Sequence, residues 1–309
     1  MPKWLFIGPT LLAGIGQVTK KYADLVGAEY KEIMSEPDKQ TYDYGFAFLI
    51  PIPHFLDAAD RHLAQCRKTF VMTVCETETV HPAYGELVRR YKTLYVPSEF
   101  CRTVLSRQFP KGTWNLLRHV ATGSPLPPPK TEKYTFYTIG NIADPRKNIS
   151  MLLEAFRQLK MPDVRLVLKA TGKEPVSCRE PNVLVINGLI SEEQLESIHA
   201  TCHCYVNCSF SEGVGMGAVE AAMRDKPVIL TEYGGLKEYI PSSPFVVSCG
   251  RTLVGQDDFL YTKDMVWGLP VLSDLVKHMR TCATQRVTTW DHSEARKLVG
   301  EAASFFSSQ

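Results

Sequence analysis

Short apolar runs alternate with stretches whose apolar positions recur at helical spacing, and the alternation continues from one end of the chain to the other. Runs bounded by turn residues predict strands near Trp4–Ile7, Glu29–Ile33, Gly45–Ile50, Thr69–Val74 and Thr93–Val96. Helical spacing predicts helices over Gln17–Val26 and Phe55–Cys66 between them. A Pro-rich segment follows, 125–133, which can be neither helix nor central strand and reads as a semi-rigid linker. A second set of strands is predicted at Tyr134–Ile139, Val164–Leu168, Val183–Ile186, Cys204–Val206, Val228–Leu230 and Phe245–Val247. The tail, Ser293–Phe306, carries an amphipathic helical pattern. Strand–helix alternation of this kind predicts an α/β protein with doubly wound parallel sheets, divided into a lobe over 1–124 and a lobe over 134–309.

Composition narrows the function. A chain of 309 residues can bury two α/β cores. Its formal net charge of +2 and charged fraction of 22% argue against a broad nucleic-acid footprint. No apolar run approaches the ~18 residues of a membrane span, and Met1–Gly8, basic then apolar, is too short for a secretory core and reads as a first strand. Nine scattered cysteines predict reduced thiols and a cytoplasmic protein. The cluster Cys202-His203-Cys204 with Cys208 lacks a second metal-ligand pair, and Cys204, Val206 and Cys208 alternate as one face of a strand, so no metal is expected.

The chemistry concentrates between the strands at 204–206 and 228–230. Ser211-Glu212-Gly213-Val214-Gly215-Met216-Gly217 joins a strand to a helix, and Glu220 follows inside that helix. A Gly-rich turn feeding a helix N-terminus presents free N–H groups and a positive dipole end to an anion. Carboxylates there would repel phosphate unless they bind something else, and a carboxylate accepts hydrogen bonds from sugar or ribose hydroxyls. The combination predicts a nucleotide-sugar site. In the first lobe, Gly14-Ile15-Gly16-Gln17 follows the first strand. Thr19 stands where a dinucleotide fingerprint needs glycine, which argues against an oxidoreductase.

Four segments in order resemble the retaining glycosyltransferases of the GT-B fold, family 4 in particular. They are Thr73-Val74-Cys75-Glu76-Thr77-Glu78, Tyr95-Val96-Pro97-Ser98-Glu99-Phe100, Gly140-Asn141 with Arg146-Lys147-Asn148, and the Glu212/Glu220 pair, and they cover roughly residues 70 to 240. The resemblance implies two Rossmann-like lobes facing each other across a cleft, the first shaping the acceptor side, with a terminal helix that crosses back to it. It implies Lys147 on the donor diphosphate, Glu212 near the hexose hydroxyls, Glu220 on the ribose diol, and the backbone of Gly213, Val214, Gly215 and Met216 completing the cradle. Asn141 stands where many members carry arginine, so Arg146 either replaces that cation or is a solvated surface residue; Lys169 is a further diphosphate candidate. Glu76 aligns with the glutamate of the family's W-E-T segment, with Cys75 in place of tryptophan, and either orients the acceptor or acts as a base. Gly14 and Gly16 either close over the donor phosphates or form an ordinary tight turn. Base recognition falls on backbone groups near Gly188-Leu189-Ile190.

The resemblance thus implies transfer of a hexosyl group from a UDP- or GDP-linked sugar to a glycan, glycoprotein or glycolipid hydroxyl. It implies retention, no cofactor and no metal, and no D-x-D tripeptide occurs in the chain. Glu212→Ala is expected to reduce turnover sharply with the fold intact. Two rivals share the nucleotide site: a sugar-nucleotide epimerase, and a non-catalytic binding or scaffold protein, for which the short first lobe and Asn141 speak.

Overall fold

The structure, a computed structural model, describes residues 2–172, 174–258 and 260–309. The chain forms two compact units, one of residues 1–120, 253–266 and 298–309, the other of residues 121–252 and 267–297.

The first unit runs β1 (Trp4–Gly8), α1 (Gly14–Leu25), β2 (Glu29–Glu32), β3 (Tyr42–Phe48), α2 (Pro53–Leu63), β4 (Cys66–Met72), α3 (Tyr84–Arg90), β5 (Thr93–Val96), α4 (Glu99–Gln108) and β6 (Thr113–Leu116). Its strands pair in parallel in the order β2-β1-β3-β4-β5-β6. Every residue of β1 is buried, as its unbroken apolar run requires of a strand covered on both faces. Pro53 opens α2 at a position where its missing N–H costs nothing, and the Ser98 hydroxyl caps α4 by accepting from the Cys101 N–H.

The second unit runs β7 (Tyr134–Gly140), a 3₁₀ turn (Pro145–Lys147), α5 (Ile149–Leu159), β8 (Val164–Ala170), β9 (Val183–Ile186), α6 (Glu192–Thr201), β10 (Cys204–Val206), α7 (Met216–Met223), β11 (Val228–Thr231), α8 (Leu236–Tyr239) and β12 (Val246–Val247). A hairpin of β13 (Cys249–Leu253) and β14 (Val266–Pro270) follows, then α9 (Leu272–Thr284) and α10 (Ser293–Ser307). The sheet order is β12-β11-β10-β7-β8-β9, so the winding reverses between β7 and β10. Ligands of open α/β sheets bind at such a reversal, beyond the carboxyl ends of the strands.

The strands expected at Thr93–Val96, Val183–Ile186 and Cys204–Val206 stand at those limits, and the others differ by a few residues at their ends. Three differences matter. The helix expected from Gln17 starts at Gly14. The Pro-rich segment expected as a spacer is tied to the second unit: the Leu126 N–H donates to the Arg224 carbonyl and Arg224 Nη1 to the Thr122 carbonyl. Residues 253–266 return to the first unit, an excursion the expected division at 124 does not contain. The hairpin that carries them has no sharp apolar alternation to announce it.

Residues 298–309 also belong to the first unit, where Phe306 sits edge-on or tilted to Trp4, Phe6, Tyr22 and Phe46 at 5.3–5.7 Å. Phe305 packs likewise on Phe70 and Tyr95. Such edge-to-face arrays contribute beyond the area they bury. The nine cysteines are all unpaired thiols, and Cys204, Val206 and Cys208 face the core of the second unit. Among the described residues no helix is long and apolar enough to cross a membrane.

Candidate functional site: an ion-paired pocket at the sheet reversal

At the carboxyl ends of β7 and β10 a cavity of about 30 Å³ is lined by Gly140, Lys147, Asn207, Ser209, Glu212 and the first residues of α7. Two loops build it. The turn after β7 carries Arg146 and Lys147; the loop after β10 carries Glu212. They are laced together: the Phe210 N–H donates to the Arg146 carbonyl at 2.9 Å, and Asn148 Nδ2 donates to the Cys208 carbonyl at 3.2 Å. Asn148 holds a left-handed backbone (φ 53°), a conformation asparagine tolerates better than most residues.

Glu212 is 4% exposed, and its carboxylate accepts from four side chains. Lys147 Nζ (2.6 Å), Ser209 Oγ (2.7 Å) and Asn207 Nδ2 (3.3 Å) reach Oε1; Arg146 Nη1 reaches Oε2 at 3.0 Å. Burial alone would push this carboxyl up, but Lys147 and then Arg146 outweigh it and hold it well below the usual carboxylate range. Arg146 Nη1 also donates to the Ser211 carbonyl (2.8 Å), and its Nη2 pairs with Asp144. Arg146 is therefore a structural member of the site and not a solvated surface residue.

The glycines set how close the backbones come. Gly215 precedes α7 with φ 79°. A Cβ on Gly217 would stand 2.4 Å from Tyr205 Oη, so this glycine lets α7 lie against β10. Gly234, at φ 88°, passes so near the Glu212 backbone that a Cβ would meet the Glu212 carbonyl oxygen at 2.5 Å. Gly234→Ala is accordingly expected to cost at least about 2 kcal/mol, from positive φ plus displacement of the Glu212 loop. Urea unfolding measures it against Gly300→Ala, inside α10 where a Cβ meets nothing within 4 Å, which should instead stabilise by up to about 1 kcal/mol.

The structure brings Lys147, Arg146, Glu212, Gly215 and Met216 together. Gly213 and Val214 are buried within the same loop, and Glu220 lies one turn into α7, half-buried. Lys169 is a correction. It is 2% exposed, and its ammonium donates to the carbonyls of Ala170 (2.8 Å) and Gly188 (2.5 Å), so it shapes the Gly188 turn instead of facing a diphosphate. Gly14 and Gly16 form the first turn of α1 and not a loop; a Cβ on Gly16 would stand 2.4 Å from the Pro9 carbonyl oxygen, which explains that glycine by packing. Glu76 follows β4 in the first unit and accepts from the Tyr261 hydroxyl. His203 accepts from the Thr135 N–H, its ring lies against Tyr134, and burial pushes it down to about 4, a core histidine.

Sequence reasoning gave Asn207, Ser209 and Asn148 no role, although they lie in or beside the segments it singled out. It also missed the strand that backs the loop: the Gly268 N–H donates to the Phe210 carbonyl (3.0 Å), and Trp267 stacks on Phe210 at 5.1 Å and 6°.

Residues 133–258, which include both loops of the site, match the model of the family described as Glycosyl transferases group 1. No curated protein matches the chain in sequence. Among solved structures the chain is similar in fold to a glycosyltransferase from Rickettsia africae ESF-5 (TM-score 0.63, 12% identity, 97% of this chain and 94% of that one). It is similar also to TarM (0.59, 14%, 85% and 52%). A third is the pneumococcal O-GlcNAc transferase GtfA in complex with UDP and GlcNAc (0.58, 13%, 85% and 56%). The chain spans about half the length of the last two. These are GT-B proteins, and the two six-stranded parallel sheets share their fold.

Proposed function

We propose that the chain transfers a hexosyl group from a nucleoside-diphosphate sugar to an acceptor hydroxyl, with retention of anomeric configuration and without a metal ion. One observation carries the reading: a buried carboxylate, neutralised by Lys147 and Arg146, lies at the N-terminus of α7 where the sheet reverses. Lys147 and Arg146 balance Glu212 and Asp144, and the helix end adds its dipole and free N–H groups, so a diphosphate is the fitting guest.

In this reading Lys147 and Arg146 stabilise charge on the leaving diphosphate, with the N–H groups from Gly213 to Met216. Lys147 moves from Glu212 to phosphate on donor binding, which releases Glu212 Oε1 to accept from a hexose hydroxyl. Glu220 takes the ribose diol. The bond from the anomeric carbon to the phosphate oxygen breaks, the acceptor oxygen bonds to the same face, and its proton passes to the leaving phosphate oxygen. Glu76 orients the acceptor. UDP is the first donor nucleotide to try, because GtfA of the same fold holds it; the unpaired thiols favour a cytoplasmic setting.

A thermal-shift screen against UDP, GDP, ADP and their sugar conjugates tests this. A bound nucleotide at a hundredfold excess over Kd adds about 2.7 kcal/mol. One nucleotide family should raise Tm, equally with and without magnesium, and Glu220→Ala should weaken that binding about tenfold or more. Absence of a shift with all of them would overturn the reading.

A further inference from the structure

Resting on that reading, we propose that Tyr261 is a positioning residue for the acceptor side, holding the Glu76 carboxylate against a hydroxyl-bearing acceptor, and that the 253–266 excursion exists to deliver it. Glu76 lies four residues beyond the end of β4, on a loop at the carboxyl edge of the parallel sheet, where a side chain has no regular element to orient it. Its Oε2 accepts from the Tyr261 hydroxyl. Glu76 is only half-buried, so desolvation does not demand this partner; the bond fixes a direction.

The excursion is anchored on both sides of that tyrosine. Asp258 and Tyr261 exchange backbone hydrogen bonds of 3.0 and 2.7 Å, and the Val254 N–H donates to the Met265 carbonyl at 2.8 Å. Leu260 packs against the core of the first unit, and Met265 is 5% exposed. Thr77 Oγ1 lies 3.8 Å from Met265 Sδ, and the Glu78 N–H donates to the Val266 carbonyl at 2.9 Å. The residues flanking Glu76 are thus bound by the same segment that supplies the hydroxyl. A site is held to working tolerance only when such a supporting shell locks it, and here the shell comes from a distant part of the chain.

The test compares wild type, Tyr261→Phe, Glu76→Gln and the double variant. The assay is transfer from UDP-glucose, UDP-N-acetylglucosamine or GDP-mannose to methyl hexosides, with Tm measured in parallel. Tyr261→Phe should lower kcat about tenfold, the loss of one hydrogen bond to a charged group. Donor KM and Tm should stay unchanged, and the loss should shrink in the Glu76→Gln background, whose neutral amide oxygen accepts only a weaker hydrogen bond. In protein labelled with ¹³C at the glutamate carboxyls, the Glu76 resonance, assigned through Glu76→Gln, should move in Tyr261→Phe. An unmoved resonance, or an equal loss in both backgrounds, would overturn the positioning role. A wild type that transfers to nothing would retire the transfer reading, and the resonance still decides whether Tyr261 holds Glu76.

Discussion

Glu212→Gln should lower kcat/KM by about 10²–10³-fold, the scale of removing one preorganised polar group from a transfer site. The reason lies in the ion pairs. Gln keeps the shape and one acceptor oxygen but removes the charge that holds Lys147 at 2.6 Å and Arg146 at 3.0 Å. Lys147 then loses its anion, while Arg146 keeps Asp144 and the Ser211 carbonyl. The same change should cost stability, correcting the sequence expectation that removal of this carboxylate spares the fold. Breaking a buried pair costs about 3–5 kcal/mol; the side chains of Lys147 and Arg146 keep 21% and 13% exposure, so about 2–3 kcal/mol is expected here. The pH dependence gives the sign. A carboxyl held below its ordinary value of 4.5 stabilises the fold above that pH and gives up the contribution as pH falls further. Glu212→Gln should therefore flatten the acid side of the stability curve below about pH 4.5. Near-normal turnover, or unchanged urea stability at pH 7, would count against both parts.

How much of this was legible in the sequence depends on the range of the interactions. A parallel strand buried on both faces reads as an apolar run, so Cys204–Val206 was visible from composition alone; Val183–Ile186 showed the same run although it is an edge strand with Leu184 exposed. The loop after β10 was visible because its glycines answer a local demand, the close approach of α7 to β10 and the left-handed turn at Gly215. Lys169 was read as ligand-facing because it stands at the end of a strand, while its partners, two carbonyls, bear no side-chain signature. Arg146 was left open for the reverse reason: only the fold shows that a carboxylate and a carbonyl from the loop after β10 meet it. Tyr261 was unreadable, since its partner lies 185 residues away and nothing local marks the pair. The strand that backs Phe210 was missed for lack of alternation, because Trp267 and Gly268 are both buried.

Lys226→Met should stabilise the protein at pH 7 by about 2–3 kcal/mol, an opposite effect from an equally buried charge. Lys226 precedes Pro227 at the entry to β11 and is 0% exposed. Among the described residues its Nζ meets no hydrogen-bond partner. Burial pushes its ammonium down from 10.5 to about 8, with Cys202 and Glu196 offsetting only part of the loss. Each unit of such a shift corresponds to about 1.4 kcal/mol, so the difference between 10.5 and about 8 amounts to roughly 3 kcal/mol of penalty at neutral pH. The sign follows from proton counts: between about pH 8 and 10.5 the unfolded chain binds the proton and the folded chain does not, so stability rises with pH across that window. Methionine fills a similar volume without charge, and its variant should start from the higher plateau and lose the rise. Urea unfolding at pH 7, 9 and 10.5 separates the two proteins. A Met variant no more stable than wild type at pH 7 would mean the ammonium is satisfied in the fold, and a slope retained between pH 8 and 10.5 would assign the titration to another group.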